Sequence, residues 1–156
     1  MPSYYCDPRA PAPNVPRRAG VSALVERDGR VLVERRADDP DFWAFVGGRI
    51  EEDEQALDAL HREVREETGF EIESASLLGL FSDPTRIIAY PDGNVCRVLS
   101  LAFRVTPRGD GEPRPSSESA GMQFVSREVL ASLRFWPAQL PIRDAYLGDP
   151  ADVVVE

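Results

Sequence analysis

Two apolar-rich runs, GVSALVER from Gly20 and RVLVERR ending at Arg36, are separated by Asp28-Gly29, a hairpin turn signature. Ahead of them, residues 1–19 carry Pro2, Pro8, Pro11, Pro13 and Pro16, which predicts an extended arm rather than a helix or central strand, ordered by docking on the body if at all. Phe42 to Val46 is a short apolar run leading into Gly47-Gly48. From Glu54 the period becomes that of a helix: Leu57, Leu60 and Val64 fall on one stripe, Asp53 stands as N-cap and Gly69 as the stop, predicting a helix over 54–68. Beyond it, EIESASLLGLFSD and VCRVLSLAFRVTP read as two strands that pair, with a turn at Pro91 to Asn94. TPRGDGEPRPSSESAG reads as a polar loop, MQFV as a short strand, and Ser126 opens a helix to about Leu133. A last helix is predicted from Pro137 to Leu147, stopped by Gly148 and obliged by Pro141 to start near that residue or bend there. Strands mixed with two or three helices, without internal repeats, predict an α/β fold: a mixed sheet covered on both faces.

The first helix carries more than a core stripe. Glu63, Glu66 and Glu67 gather on an adjacent face with Ala56 and Ala59. Left alone, these acids repel, at roughly 0.2–0.5 kcal/mol per like-charged pair. A divalent cation reverses that sign. Hard cations such as Mg²⁺ take oxygen ligands, keep some waters and share their shell with substrate phosphates, and the alanines leave room for this. Acidic helix faces in general are more often simply solvated. Here Gly47-Gly48, whose lack of Cβ lets backbone carbonyls approach a metal or phosphate, and the spaced Arg62 favour the cation.

The 156 residues suit one domain with a normal core. A net charge of −9 argues against general nucleic-acid binding and against anionic membranes, which demand positive surface, but a small polyphosphate held through metal ions stays compatible. Every basic residue is arginine, so any direct cationic phosphate contact is a guanidinium, suited to bidentate binding. No apolar run approaches the length of a membrane span and the opening residues lack an apolar signal core, which predicts a cytoplasmic protein. Cys6, Cys96 and the single histidine, His61, are too few for a tetrahedral zinc site, so both cysteines are expected to be free thiols.

Residues 48–70 match Gly-x5-Glu-x7-Arg-Glu-aliphatic-x-Glu-Glu-x-Gly-apolar at every fixed position: Gly48, Glu54, Arg62, Glu63, Val64, Glu66, Glu67, Gly69 and Phe70. A chance match is on the order of one in a million. The pattern is that of the Nudix box, and the chain resembles the Nudix hydrolase family well beyond it, through the strand pair, a W-x-x-x-G-G approach and the later strands and helices, over residues 20–148. That resemblance leaves 1–19 as an N-terminal arm and 149–156 as a C-terminal tail. YCDPRAPAPN, FSDPTR, AYPDG and SSES are similar, more loosely, to a bacterial subgroup of mostly unassigned substrate. Two departures are Val46, where the family commonly has proline, and Gly121, where relatives often carry a second acid.

The resemblance implies the family's α/β/α sandwich and hydrolysis of a nucleoside diphosphate linked to another moiety, by water activated at bound Mg²⁺ or Mn²⁺. It makes Glu66 and Glu67 metal ligands, with the Gly47 carbonyl, and Glu63 either ligand or base. Arg62 would orient these carboxylates, Glu54 would support the loop, and Glu118 is the best candidate for a further acid serving as ligand or base. For phosphates we expect Arg35 or Arg36, then Arg86 and Arg97. Phe42, Trp43, Phe81 and Tyr90 could stack on a base, although core packing is commoner for any one of them. The partner is thus a small nucleotide-type diphosphate. Nucleotide-sugars such as ADP-ribose are preferred to nucleoside triphosphates, in part because the arm could build a dimeric pocket; a homodimer is somewhat favoured over a monomer. A nucleotide-binding module without turnover is the alternative, although such modules typically lose box glutamates. An EF-hand is not supported, because DDPDFW does not supply the loop.

Overall fold

In the computed structural model, which describes residues 1–156, the chain runs through β1 (Ser3–Tyr4), β2 (Arg18–Arg27), β3 (Arg30–Arg36), β4 (Trp43–Ala44), β5 (Val46–Arg49), α1 (Ala56–Thr68), β6 (Ile72–Phe81), β7 (Ile87–Ala89), β8 (Val95–Pro107), β9 (Ser119–Val125), α2 (Arg127–Ser132), a 3₁₀ turn (Pro137–Gln139), α3 (Leu140–Leu147) and β10 (Val154–Val155). The centre is β2. Its Val21, Ala23 and Val25 pack with Leu60 and Val64 of α1, whereas Leu24 packs with Leu130 of α2 and with Ile142 and Tyr146 of α3. A strand buried on both faces needs an almost unbroken apolar run, which is how this segment reads. The result is a mixed sheet sandwiched between α1 and the α2–α3 pair.

Strand β2 lies parallel to β8, with Ser22 opposite Ala102, and antiparallel to β5, with Ser22 opposite Gly47. Across its turn it also meets β3, which carries β9 on its other side with Glu34 opposite Met122. Strand β8 has two antiparallel partners, β6 for its second half and β7 for its start. The sequence reading paired β8 with the β6 segment alone. Between them, Asp83 accepts from the Thr85 amide at 2.7 Å in a tight turn, and Pro84 has no N–H to offer a ladder.

Both chain ends add to the sheet. Ser3–Tyr4 pairs with Ile87–Ile88, and Val154 sits parallel opposite Gly79. The Pro-rich segment is held by Asn14, whose side chain accepts from the Val95 amide at 2.8 Å and donates to the Gly93 carbonyl at 3.0 Å.

Two local expectations change. Helix α1 starts at Ala56 with Gln55 as its N-cap, not at Glu54 with Asp53. Leu57, placed on the core stripe, is 52% exposed, and Ala59 takes its place in the core, so Ala59 leaves no room at the acidic face. The last helix starts near Pro141, as that residue obliged it to: Pro141 falls in the first turn of α3, where a missing N–H costs nothing, and the preceding Pro137–Gln139 winds as a separate 3₁₀ turn. Ser126 caps α2 as expected, accepting from the Val129 amide at 3.2 Å. Cys6 and Cys96 are both free thiols, and no helix is long and apolar enough to cross a membrane.

Candidate active site

Glu54 stays outside α1 because Arg62 and the loop claim its carboxylate. It accepts from Arg62 Nε at 2.8 Å and Nη2 at 3.0 Å, and from the Glu51 amide at 3.1 Å. The same guanidinium donates to the Arg49 carbonyl at 2.9 Å, to Glu63 Oε1 at 2.7 Å and, more distantly, to Glu66 Oε2 at 3.4 Å. One arginine therefore fastens β5, the following loop and two acids of α1 together, and these carboxylates hold its pKa well above the usual arginine value, the Glu54 hydrogen bonds first. Glu63 lies across the backbone at Gly48, where a Cβ would come within 2.2 Å of Oε1, so a side chain there would push the Glu63 carboxylate aside. Burial pushes the Glu63 carboxyl up, against the opposing pull of Arg62. Glu66 is exposed.

Glu67 points the other way, into the protein. It is 8% exposed, and its Oε2 accepts from the Gly47 amide at 2.9 Å. Burial, then the neighbouring charge of Glu34, pushes its pKa up to about 9. Glu34 on β3 is only 6% exposed, its pKa is pushed up to about 7 mainly by burial, and its Oε2 has no hydrogen-bond partner. Burial and like charge both raise a carboxyl's proton affinity, and together they mark a site short of positive charge.

These groups line a cleft of about 400 Å³. Of the residues singled out from sequence, the structure brings Gly47, Glu63, Glu66, Glu67 and Glu118 to it, together with Arg36, Arg86 and Tyr90. The others lie elsewhere. Arg35 and Arg36 are neighbours on a strand and so face opposite ways; Arg35 is exposed and lies over the Trp43 ring, with 5.9 Å to its centre, outside the cleft. Arg97 is exposed and Phe81 is fully buried in the core, and neither lines the cleft, nor does Phe42. Arg86 does line it but is 1% exposed and structurally committed, donating to Phe81 O at 2.6 Å, Ala138 O at 2.7 Å and Ser100 Oγ at 2.8 Å. Arg36 is already chelated by Asp38 at 3.0 and 3.1 Å and lies over Trp136.

Sequence reasoning missed Glu34, Trp136, Arg18 and Arg49. Alternation along RVLVERR puts residues 34 and 36 on one face, a signal that could have found Glu34. Trp136 gave only an aromatic just before Pro137. Its buried Nε1, like Glu34 Oε2, lacks a partner and belongs to the cleft. Arg18 lies 4.7 Å from the centre of the Tyr90 ring, and Arg49 lies on the cleft beside Gly48; neither side chain forms an ion pair.

The donor set fits a hard divalent cation: it is all oxygen, buried in part, and more negative than Arg62 can balance. No three of the acids yet converge on one coordination point, since Arg62 draws Glu63 aside and Glu66 extends outward.

The family model described as NUDIX domain matches residues 16–146. The chain is 46% identical over 131 residues to the CTP pyrophosphohydrolase of Escherichia coli (strain K12), covering 82% of this chain and 90% of that protein. It is 36% identical over 113 residues to a MutT-like protein of Streptomyces ambofaciens, covering 72% of this chain but only 64% of that relative's length. The solution structure of the E. coli ORF135 protein matches with a TM-score of 0.67 at 28% identity, over 87% of this chain and 95% of that one.

Proposed function

The chain belongs to the NUDIX domain family, and from that premise we propose that it is a divalent-cation-dependent pyrophosphohydrolase cleaving the diphosphate bond of a nucleoside triphosphate. The observation that carries the reading is Glu67, a buried carboxylate tied to the Gly47 amide with Glu34, Glu63 and Glu118 around it and Arg62 already engaged by three acids. Resemblance to the E. coli CTP pyrophosphohydrolase supports a nucleoside triphosphate over a nucleotide-sugar. The arm pairs with β7 and meets β8 of its own chain, so it gives no separate ground for preferring a nucleotide-sugar.

Glu63, Glu66 and Glu67, with the Gly47 carbonyl, are the residues that would hold Mg²⁺ or Mn²⁺. Such a cation lowers the pKa of water and neutralises charge developing on the leaving phosphate oxygens. Arg62 fixes the helix acids against the Gly47-Gly48 backbone. Glu118, whose side chain makes no hydrogen bond or ion pair and faces the same cleft, takes the proton of the attacking water; its backbone is steadied by the Ala37 amide, which donates to its carbonyl at 3.0 Å. Arg49 and Arg18 meet phosphates, while the half-buried Tyr90 ring offers the base a place to stack. Residues 20–148 form the catalytic body, and the arm closes one side of the cleft through Met1.

The test is product release from a panel of nucleoside triphosphates, sugar nucleotides, ADP-ribose and dinucleoside polyphosphates, in Mg²⁺ or Mn²⁺, by wild type and Glu67→Gln. Turnover of the triphosphates that is abolished by chelator and falls about a hundredfold or more in the variant, on the order of 2.7 kcal/mol, is the expected result. Nucleotide binding with no metal-dependent turnover of any of them would replace the hydrolase with a binding module.

A further inference from the structure

Glu34 lies outside the helix pattern, on β3 close enough to Glu67 for its charge to act on it, and no hydrogen bond of the fold uses its Oε2. Alternation along β3 turns it, with Arg36, toward the cleft, while Val33 goes to the core and Arg35 to solvent. It is held rigidly there, because Glu34 pairs with Met122 of β9 on one side and with Ala44 of β4 on the other. Oε2 is buried and without a partner. An acid in a core normally finds a donor, since an unmet buried acceptor costs roughly 1–3 kcal/mol.

The groups that share its cleft explain what could meet it. Glu63, Glu67 and Glu118 are acids, and Arg62, the cation beside them, is bound to Glu54, Glu63 and Glu66. Arg36 faces the same cleft but is chelated by Asp38. No N–H or O–H of the protein donates to Oε2, and the other buried polar atom of the cleft without a partner, Trp136 Nε1, is not bonded to it. What fits a rigid, buried carboxylate oxygen beside other carboxylates is a positive charge without protons of its own.

We propose that Glu34 is a further ligand for the divalent cation of this site, reaching it from the sheet while Glu63, Glu66 and Glu67 reach it from the helix. This rests on the function given above. The placement gives the cation a fixed anchor on β3, so that the site does not depend wholly on α1 keeping its orientation.

The test is Mn²⁺ binding without nucleotide, by calorimetry and by the electron paramagnetic resonance signal of the free ion, for wild type, Glu67→Gln, Glu34→Gln and Glu34→Asp, with melting of each in chelator. Wild type should bind, and Glu67→Gln and Glu34→Gln should each weaken affinity about tenfold to a hundredfold, the range of losses seen when support of a metal site is removed. Glu34→Asp, which keeps the charge on a shorter arm, should fall between. In chelator Glu34→Gln should melt no lower than wild type, because it removes a buried acid that has no partner. Glu34→Gln binding Mn²⁺ as wild type does, while Glu67→Gln does not, would overturn the proposal and leave the hydrolase reading standing. Glu34→Gln melting clearly lower in chelator would overturn it too, by showing that the carboxyl serves the fold. A wild type that binds no Mn²⁺ would take down both.

Discussion

Two arginines line or border the same cleft, and they live in opposite surroundings. Arg62 is partly exposed and holds three carboxylates, which raise its pKa. Arg86 is buried and hydrogen-bonded only to neutral oxygens, and burial pulls its pKa down to about 10. On the helix side there is more negative charge than one guanidinium can balance; on the β7–β8 side there is a positive charge that no acid pairs directly, with Glu156 and Asp83 acting on it only at a distance. On the function proposed above, a nucleotide carrying divalent cations would meet both needs, cations against the acids and phosphates toward the arginines. The lesson is that a charged side chain is read by what remains unbalanced around it, not by its type. Arg86 is a brace among neutral oxygens, and Arg62 a clamp for carboxylates.

Breaking the brace has the largest expected effect. Arg86→Met strands two carbonyls and a hydroxyl in the core, and urea unfolding should show a loss on the order of 3–5 kcal/mol. A loss under about 1 kcal/mol would mean that those oxygens find water, and the contrast with Arg62 would collapse. On the acidic side, Gly48→Ala puts a Cβ where Glu63 lies. Turnover should fall at least about tenfold, roughly 1.4 kcal/mol, with the thermal midpoint little changed. Turnover at the wild-type rate would show that Glu63 need not lie across that backbone.

The imbalance also predicts how stability follows pH. Glu34 and Glu67 titrate near 7 and 9 in the folded chain, against about 4.5 for an ordinary glutamate. The folded state therefore holds protons that the unfolded state has released. Their stabilising effect is complete below about pH 4.5 and is lost as pH rises through 7 and 9. In chelator the melting midpoint should fall between about pH 6 and pH 9, and Mg²⁺ should restore it most at the alkaline end, where the carboxylates are ionised. A midpoint that rises with pH in chelator would contradict the charge imbalance. The smallest effect is expected outside the cleft: Arg35→Ala and Arg97→Ala should leave kcat/KM within about twofold of wild type, since single exposed charges contribute little. A larger loss from either would place substrate contacts beyond the cleft.

The clamp was legible in the sequence and the brace was not. Arg62 meets Glu54, Glu63 and Glu66 within one helix and the loop entering it, so a fixed local spacing carries the contact. Arg86 meets Phe81, Ser100 and Ala138, whose oxygens come from three separated elements, and FSDPTR alone held no sign of which way its arginine turns. Leu57 misled for a related reason: helical period says which residues share a face, but the angle at which α1 sits on β2 and β5 decides how wide the buried face is, and Ala59 fell inside it instead.

By itself, the sequence determined the family, the mixed sheet between helices, and the acids that α1 presents, because each depends on periodicity or spacing over a few turns of chain. Only the tertiary structure decided that Arg36 enters the cleft while Arg35 and Trp43 stay out, that Arg86 is a brace, and that Glu34 and Trp136 join the site with unmet polar atoms. Those outcomes depend on which residues from distant segments end up buried side by side, and on whether a buried charge finds its opposite there, which no local pattern records.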